Sequence, residues 1–288
     1  CYLNTWTGSG KVIIGGRIFT HKGLNFPDTS LTISPITQKD KEDLKFGIQN
    51  NIDWVALSFV SSAQNIHQLR KLIIKYHKEL KKPLRNILII PKIEKREAID
   101  NIDSIIEAAD GIMIARGDLG IELAPEEVPV LQKEIISKCM IAAKPVVVAT
   151  QMLESMINNP RPTRAEASDV ANAIIDHTDV VMLSGETAGG HYPVEVVQTM
   201  ADIITHTEES HYDDLNIDDY IDSEIVAVRD SLCMVSALLA QKKDVDLIVT
   251  ASLSGETARS LVRYRPEVPV IVITHDEMIQ RQLALSYG

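Results

Sequence analysis

The 288 residues carry 29 basic and 40 acidic side chains, for a formal net charge of −11. That acidity excludes a basic nucleic-acid-binding face. Hydrophobic residues make up 45%, enough for a substantial core, yet no apolar run reaches the roughly 18–20 residues of a membrane span.

Cys1, Cys139 and Cys233 form no CxxC pair and no disulfide framework, which points to a reducing, cytoplasmic setting. Cys139 and Cys233 fall on apolar helical faces and read as buried thiols. The chain opens on Cys1 and stops at Gly288 directly after an amphipathic segment. It reads as a piece of a longer polypeptide.

Residues 1–22 are glycine-rich. Val12, Ile13, Ile14, Ile18 and Phe19 suggest short strands, with turns at Gly8–Gly10 and Gly15-Gly16. From about residue 37 an alternation begins. Strand-like runs occupy Trp54–Phe59, Ile87–Ile90, Gly111–Ala115, Val146–Ala149 and Val180–Leu183. Between them lie helical stripes: Ile66, Leu69, Ile73 and Tyr76; Val128, Leu131, Ile135 and Cys139; Val170 and Ile174; Val194, Val197, Ala201 and Ile204. Thr163-Arg164-Ala165-Glu166 is a capping box, and Pro125 and Pro193 suit first helical turns. Strand spacing of roughly 25–35 residues fits βαβ units with parallel strands.

An acidic stretch, His211–Ser223, reads as a linker. After it a helix is expected from about Glu224 to Gln241, with Ile225, Val228, Leu232, Val235 and Leu239 on its core face. Strands at Leu247–Thr250 and Val270–Thr274 flank a helix from about Glu256 to Tyr264 and begin a second, open α/β domain.

Chemistry collects where the strands end, as it does in parallel α/β folds. The five carboxyl ends present Ser58; Lys92 and Glu94; Arg116, Gly117 and Asp118; Thr150 and Gln151; and Ser184, Gly185 and Glu186. Ser58 and Gln151 are equally well read as a strand emerging into solvent. Lys92 and Glu94 are different: two residues apart on extended chain, they share one face, and charges at the end of a buried strand are costly unless used. Glu94 and Asp118, from consecutive strands, suit Mg²⁺ or Mn²⁺, which keeps waters and takes its other ligands from a substrate. The plain alternatives are a Lys92–Glu94 salt bridge and a helix N-cap by Asp118. In Arg116-Gly117-Asp118-Leu119-Gly120 the glycines let backbone N–H groups approach a ligand, and the helix after it would offer its positive end.

These motifs, in order and spacing, resemble the pyruvate kinase family. The resemblance rests on residues 87–99 (ILIIPKIEKREAI), 115–120 (ARGDLG), 149–156 (ATQMLESM), 160–173 (PRPTRAEASDVANA) and 184–188 (SGETA), and extends through 21–27 (HKGLNFP) to the C-terminal segment. It implies an α/β fold: a partial (β/α)₈ barrel, about strands 4–8, over residues 23–210, then part of a regulatory α/β domain over 211–288, with 1–22 as the exit segment of the lid.

The resemblance also implies an activity: phosphoenolpyruvate and ADP give pyruvate and ATP, in a cytoplasmic homotetramer. Lys92 would stabilise the phosphoryl group and the enolate. Glu94 and Asp118 would hold the divalent ion, backbone N–H groups of Arg116, Gly117 and Asp118 the substrate carboxylate. Thr150 would contact the carbon that is protonated, and Ser184 would join a proton relay. The potassium ligands and a phosphate-gripping arginine would precede Cys1, so this chain alone is expected to be inactive or nearly so. Ser252, Ser254, Gly255 and Thr257 would form an effector loop; Leu253 and Glu256 replace the Lys and Arg of sugar-phosphate-activated relatives, and a carboxylate there would repel a phosphate. Two other readings are a metal-dependent lyase or aldolase acting on pyruvate or phosphoenolpyruvate, and a non-catalytic remnant.

Overall fold

The computed structural model describes residues 2–4, 9–11, 15–17, 35–217, 227–242 and 245–288. Near the amino end, β1 (Tyr2–Asn4) and β2 (Ser9–Lys11) pair antiparallel, with Leu3 opposite Gly10. Ser9 and Gly10, expected in a turn, are therefore strand. The expected strands around 12–14 and 18–19 lie outside the described residues.

The main body alternates as its pattern foretold. Its elements are α1 (Gln38–Gln49), β3 (Trp54–Leu57), α2 (Ala63–Glu79), β4 (Leu88–Ile93), α3 (Arg96–Asp100), α4 (Ile102–Ala108), β5 (Ile112–Ala115), α5 (Arg116–Glu122), α6 (Val128–Ile141), β6 (Val146–Ala149), a 3₁₀ turn (Glu154–Ile157), α7 (Arg164–Ile175), β7 (Val180–Met182), α8 (Gly185–Ala188) and α9 (Pro193–Glu208). The five strands form one parallel sheet in the order β3-β4-β5-β6-β7. Alternation sorts the side chains. Ile89, Ile93, Ile112, Ile114, Val146 and Val148 pack under the helices. Ile90, Met113, Val147 and Ala149 form a second cluster on the opposite face.

Helix starts follow local chemistry. Thr37 with Asp40, and Thr163 with Glu166, form reciprocal capping boxes at α1 and α7. Pro193 occupies the first turn of α9. Pro125 does not play that part: α6 begins at Val128 with Pro129 in its first turn. The helix ends share a device with no sequence signal. Asn51, Lys81, Ala143 and His177 all take positive φ just beyond α1, α2, α6 and α7. At α6, Ala143 N–H donates to Met140 O and Lys144 N–H to Cys139 O, both at 2.9 Å. This is a Schellman closure without its usual glycine.

Two helices present other faces than their apolar stripes suggest. In α9 the buried residues are Val196, Met200 and Thr207, whereas Val194 is 76% exposed and Val197 is exposed too. In α10 (Val228–Lys242) the small residues Cys233, Ala237 and Ala240 are buried, and Val228, Leu232, Val235 and Leu239 are exposed. Cys233 and Ala237 belong to the core of the second unit, so the face of small residues is the covered one. The start of α10 is Val228 rather than Glu224; residues 218–226, Ile225 among them, lie outside the described set.

The second unit adds β8 (Ile248–Ala251), α11 (Glu256–Val262), β9 (Val270–Ile273) and α12 (Glu277–Leu283), with β8 and β9 parallel. The described part of the expected linker is packed, not free. Leu215 is buried in the main core and Ile217 in the core of the second unit. No described helix is long and apolar enough to cross a membrane.

Candidate active site

The sheet register levels the rim: Ile93 lies opposite Ile114, Ala115 opposite Ala149, and Ala149 opposite Met182. The chain therefore leaves β4, β5, β6 and β7 at nearly one height. Lys92 and Glu94 continue the face of Ile90 by strand alternation, the side away from the helices.

Lys92 Nζ lies 2.5 Å from Glu94 Oε1 and donates to Ser58 Oγ at 3.3 Å. Glu94 has a side chain only 1% exposed, and its Oε2 accepts from Phe59 N–H at 2.7 Å. The expected salt bridge exists, then, but within a site tied to the end of β3. Phe59 holds a positive φ of 56°, and its exposed ring lies 5.7 Å from Lys95 Nζ.

Asp118 does not cap. Arg116-Gly117-Asp118 form the first turn of α5 itself, with Ala115 at the N-cap, whereas the helix was expected to follow the motif. The Asp118 carboxylate has no hydrogen-bond or ion-pair partner among the described residues. One paired and one free carboxylate at adjacent strand ends fit a hard divalent ion completed by water and substrate oxygens. Among the described residues no group of three or more His, Cys, Asp or Glu could enclose a metal unaided.

The Arg116 guanidinium is turned to structure. It donates to Thr150 O at 2.9 Å and Gln151 O at 3.1 Å, and pairs with Asp169 at 2.7 Å. Thr150 and Gln151 sit at φ 71° and 54°, a left-handed pair costly for a β-branched residue. Thr150 Oγ1 accepts from Gly117 N–H at 2.8 Å and donates to Ala149 O at 2.6 Å. A Cβ on Gly117 would lie 3.2 Å from that oxygen. So one of the three N–H groups expected to meet a substrate carboxylate is engaged by Thr150.

Ser184 is exposed at the N-cap of α8, and its N–H donates to Glu186 Oε2 at 2.8 Å. Glu186 is buried, and its other oxygen accepts from Leu153 N–H at 3.3 Å. That carboxylate joins the loops after β6 and β7. Sequence reading named Glu186 only as part of a strand end; a bridging carboxylate has no motif of its own. Glu166 was likewise read only as a cap, yet it also accepts from Ser155 N–H at 2.7 Å and Ser155 Oγ at 2.6 Å. Burial alone would raise its carboxyl, but the hydrogen bonds from Ser155 and Thr163 hold it below its ordinary value.

The second unit's Ser252–Thr257 loop sits between β8 and α11. Ser252 is buried, Ser254 is exposed, and Gly255 takes φ 79°. Glu256 is countered by Arg229 at 2.7 Å, a partner that sequence reading did not foresee.

A parallel α/β sheet with a Lys–Glu pair, and an Asp unpaired among the described residues, at neighbouring strand ends is the architecture of a barrel-type enzyme. The family model described as "Pyruvate kinase, barrel domain" matches residues 6–197, and "Pyruvate kinase, alpha/beta domain" matches 230–288; the chain belongs to the pyruvate kinase family. Pyruvate kinase of Geobacillus stearothermophilus is 48% identical over 279 residues, which cover 96% of this chain and 46% of the relative. That of Bacillus licheniformis is 46% identical over 278 residues, with the same coverage. A crystal structure of a pyruvate kinase from Cryptosporidium parvum superposes with a TM-score of 0.86 at 39% identity, covering 92% of this chain and 54% of that one. The chain thus spans about half the length of the curated relatives it matches.

Proposed function

We propose that the protein carrying this chain transfers the phosphoryl group of phosphoenolpyruvate to ADP, giving pyruvate and ATP. The observation that supports this reading is the Lys92–Glu94 pair and the Asp118 carboxylate, unpaired among the described residues, at the ends of adjacent strands of one register. Lys92 places a cation where charge develops on the transferring phosphoryl group and on the enolate left behind. Glu94 and Asp118 hold Mg²⁺ or Mn²⁺, which when bound supplies charge neutralisation to substrate oxygens. Backbone N–H groups of the first turn of α5 take the substrate carboxylate; the Gly117 N–H reaches it by giving up Thr150 Oγ1. Thr150, fixed in its left-handed conformation, faces the carbon that gains a proton. Ser184 belongs to the relay that delivers it, since a hydroxyl of ordinary acidity serves better in a chain than as sole donor. Potassium, a homotetramer, a cytoplasmic setting and an effector role for Ser252, Ser254, Gly255 and Thr257 belong to the same proposal.

The test is pyruvate release from phosphoenolpyruvate in Mg²⁺, with and without ADP. Strict ADP dependence, with ATP formed mole for mole, supports the kinase. Equal pyruvate release without ADP, with inorganic phosphate formed mole for mole, means transfer to water and overturns it.

A further inference from the structure

We propose that Gln282, Arg281 and Asp53 are positioning residues for the Lys92–Glu94 pair and act on it through β3. The inference rests on the reading of that pair as catalytic and metal-binding. It adds the residues that hold the pair in place from the opposite end of the sheet.

The chain on either side of β3 is bonded at both ends of the strand. Asp53 precedes Trp54, and Ser58 and Phe59 follow Leu57. At the rim, Lys92 Nζ donates to Ser58 Oγ at 3.3 Å, and Phe59 N–H donates to Glu94 Oε2 at 2.7 Å. Each member of the pair therefore has a partner on the chain leaving β3. At the base, Asp53 and Trp54 are held by α12 of the second unit. Arg281 donates to the Asp53 carboxylate from Nε at 2.7 Å and from Nη2 at 3.2 Å, a two-pronged contact. The Gln282 amide donates to Asp53 O at 3.1 Å and to Asn86 O at 2.8 Å. Gln282 O in turn accepts from Trp54 Nε1 at 3.2 Å.

Gln282 is only 1% exposed. A buried amide is costly without partners, and both of its acceptors lie across the junction. Asn86 stands two residues before β4. One side chain thus spans the bases of β3 and β4, the two strands whose upper ends supply Ser58, Phe59, Lys92 and Glu94. Leu285 and Trp54 both pack on the cluster of Ile90, Met113, Val147 and Ala149, the face that Lys92 and Glu94 continue.

The strand between is suited to carry a displacement. Among the described residues β3 is an edge strand, paired only with β4. Its extended chain separates Asp53 from Ser58 by roughly 16 Å. A shift or tilt imposed at Asp53 therefore arrives at Ser58 and Phe59 together, and a rigid element of this kind couples its two ends. The other edge gives the contrast. The second unit also grips the base of β7, where Asp179 accepts from Arg265 at 3.0 Å and from Tyr287 N–H at 3.1 Å. Above it, Ser184 bonds to Glu186 and Thr187 and, among the described residues, to neither Lys92 nor Glu94. Of the two gripped strands, only β3 leads to the pair.

The test uses the protein carrying this chain. Gln282→Met keeps the volume and removes both donors, while Asp53 O still accepts from Leu88 N–H at 3.1 Å. The Phe59 amide should then exchange with deuterium several times faster, with the Ile112 and Ile114 amides of β5 unchanged. Mn²⁺ affinity should fall severalfold. Arg281→Ala, at a half-exposed side chain, should move both readouts the same way by less. Asp179→Ala should cost stability and leave Mn²⁺ affinity as it is, which separates positioning from general loosening. Glu94→Gln reports on the functional reading by itself. If it leaves Mn²⁺ affinity unchanged, that reading falls, and exchange at Phe59 still decides the link through β3. Unchanged exchange in Gln282→Met overturns the proposal. So does faster exchange with full Mn²⁺ affinity, where Glu94→Gln lowers that affinity.

Discussion

The five parallel strands carry acidic side chains at both ends, and the two ends use them differently. At the carboxyl ends Asp118 has no partner among the described residues, and Glu94 shares its charge with a partly exposed rim lysine. At the amino ends Asp53 pairs with Arg85 and Arg281, Asp110 with Arg70 and the Ile89 N–H, and Asp179 with Arg265, Val146 N–H and Tyr287 N–H. Spare hydrogen-bonding capacity marks the end where a ligand must add its own contacts. Filled capacity marks the end that holds the protein together, as expected of a barrel-type sheet.

The largest effect should come from the rim. Lys92→Met is expected to lower turnover by roughly 10³-fold, about 4 kcal/mol of transition-state stabilisation, and to leave Mn²⁺ affinity nearly unchanged. Asp118→Asn should instead weaken Mn²⁺ binding directly. Turnover and metal titration of both variants in the protein carrying this chain would check this. If Lys92→Met retained normal turnover, the comparison would lose its functional half.

At the amino ends the currency is stability. Asp179→Ala leaves Arg265 charged, buried and without its carboxylate. The cost should approach the roughly 3 kcal/mol typical of a broken buried pair, read as a drop in the urea midpoint with divalent-metal affinity preserved. A fall in metal affinity equal to that of Asp118→Asn would erase the distinction between the two ends.

The sequence made the rim more legible than the base. Strand ends and Lys92–Glu94 could be read because alternation and apolar runs are local. The parallel direction of the five strands likewise followed from element spacing, and their consecutive order from the family resemblance. What was hidden is long-range or conformational. Arg265 reaches Asp179 across 86 positions, and Glu186 joins two loops that share no motif. The faces of α9 and α10 went unread because an apolar stripe reports where hydrophobic residues are, not which neighbour approaches. In α10 the neighbour prefers Cys233 and Ala237 to Leu232. The positive φ values of Ala143 and Thr150 leave no trace in residue type.

Those backbone conformations give a smaller contrast. Ala143 closes α6 at φ 52°, and Gln151 follows β6 at φ 54°. Glycine relieves a left-handed residue of roughly 1 kcal/mol, partly offset by unfolded-state entropy. Ala143→Gly should therefore raise stability slightly with turnover unchanged. Gln151→Gly should raise it similarly but lower turnover, because it loosens Thr150. Equal turnover for both would show that strain at the rim has no catalytic use.

The smallest effect is expected at Glu166, where rim and cap meet. Its folded-state pKa lies below the ordinary carboxyl value of 4.5, so ionisation favours the fold. That contribution is complete above the unfolded value and fades as pH falls through the lower folded one. Glu166→Gln keeps a capping-box side chain but removes the charge that accepts from Ser155 and Thr163. The stability gap between parent and variant should be constant from pH 8 to about 6 and close as pH drops below about 4. Urea titrations at several pH values measure it. A gap that persists at low pH would assign the role of Glu166 to packing rather than to its charge.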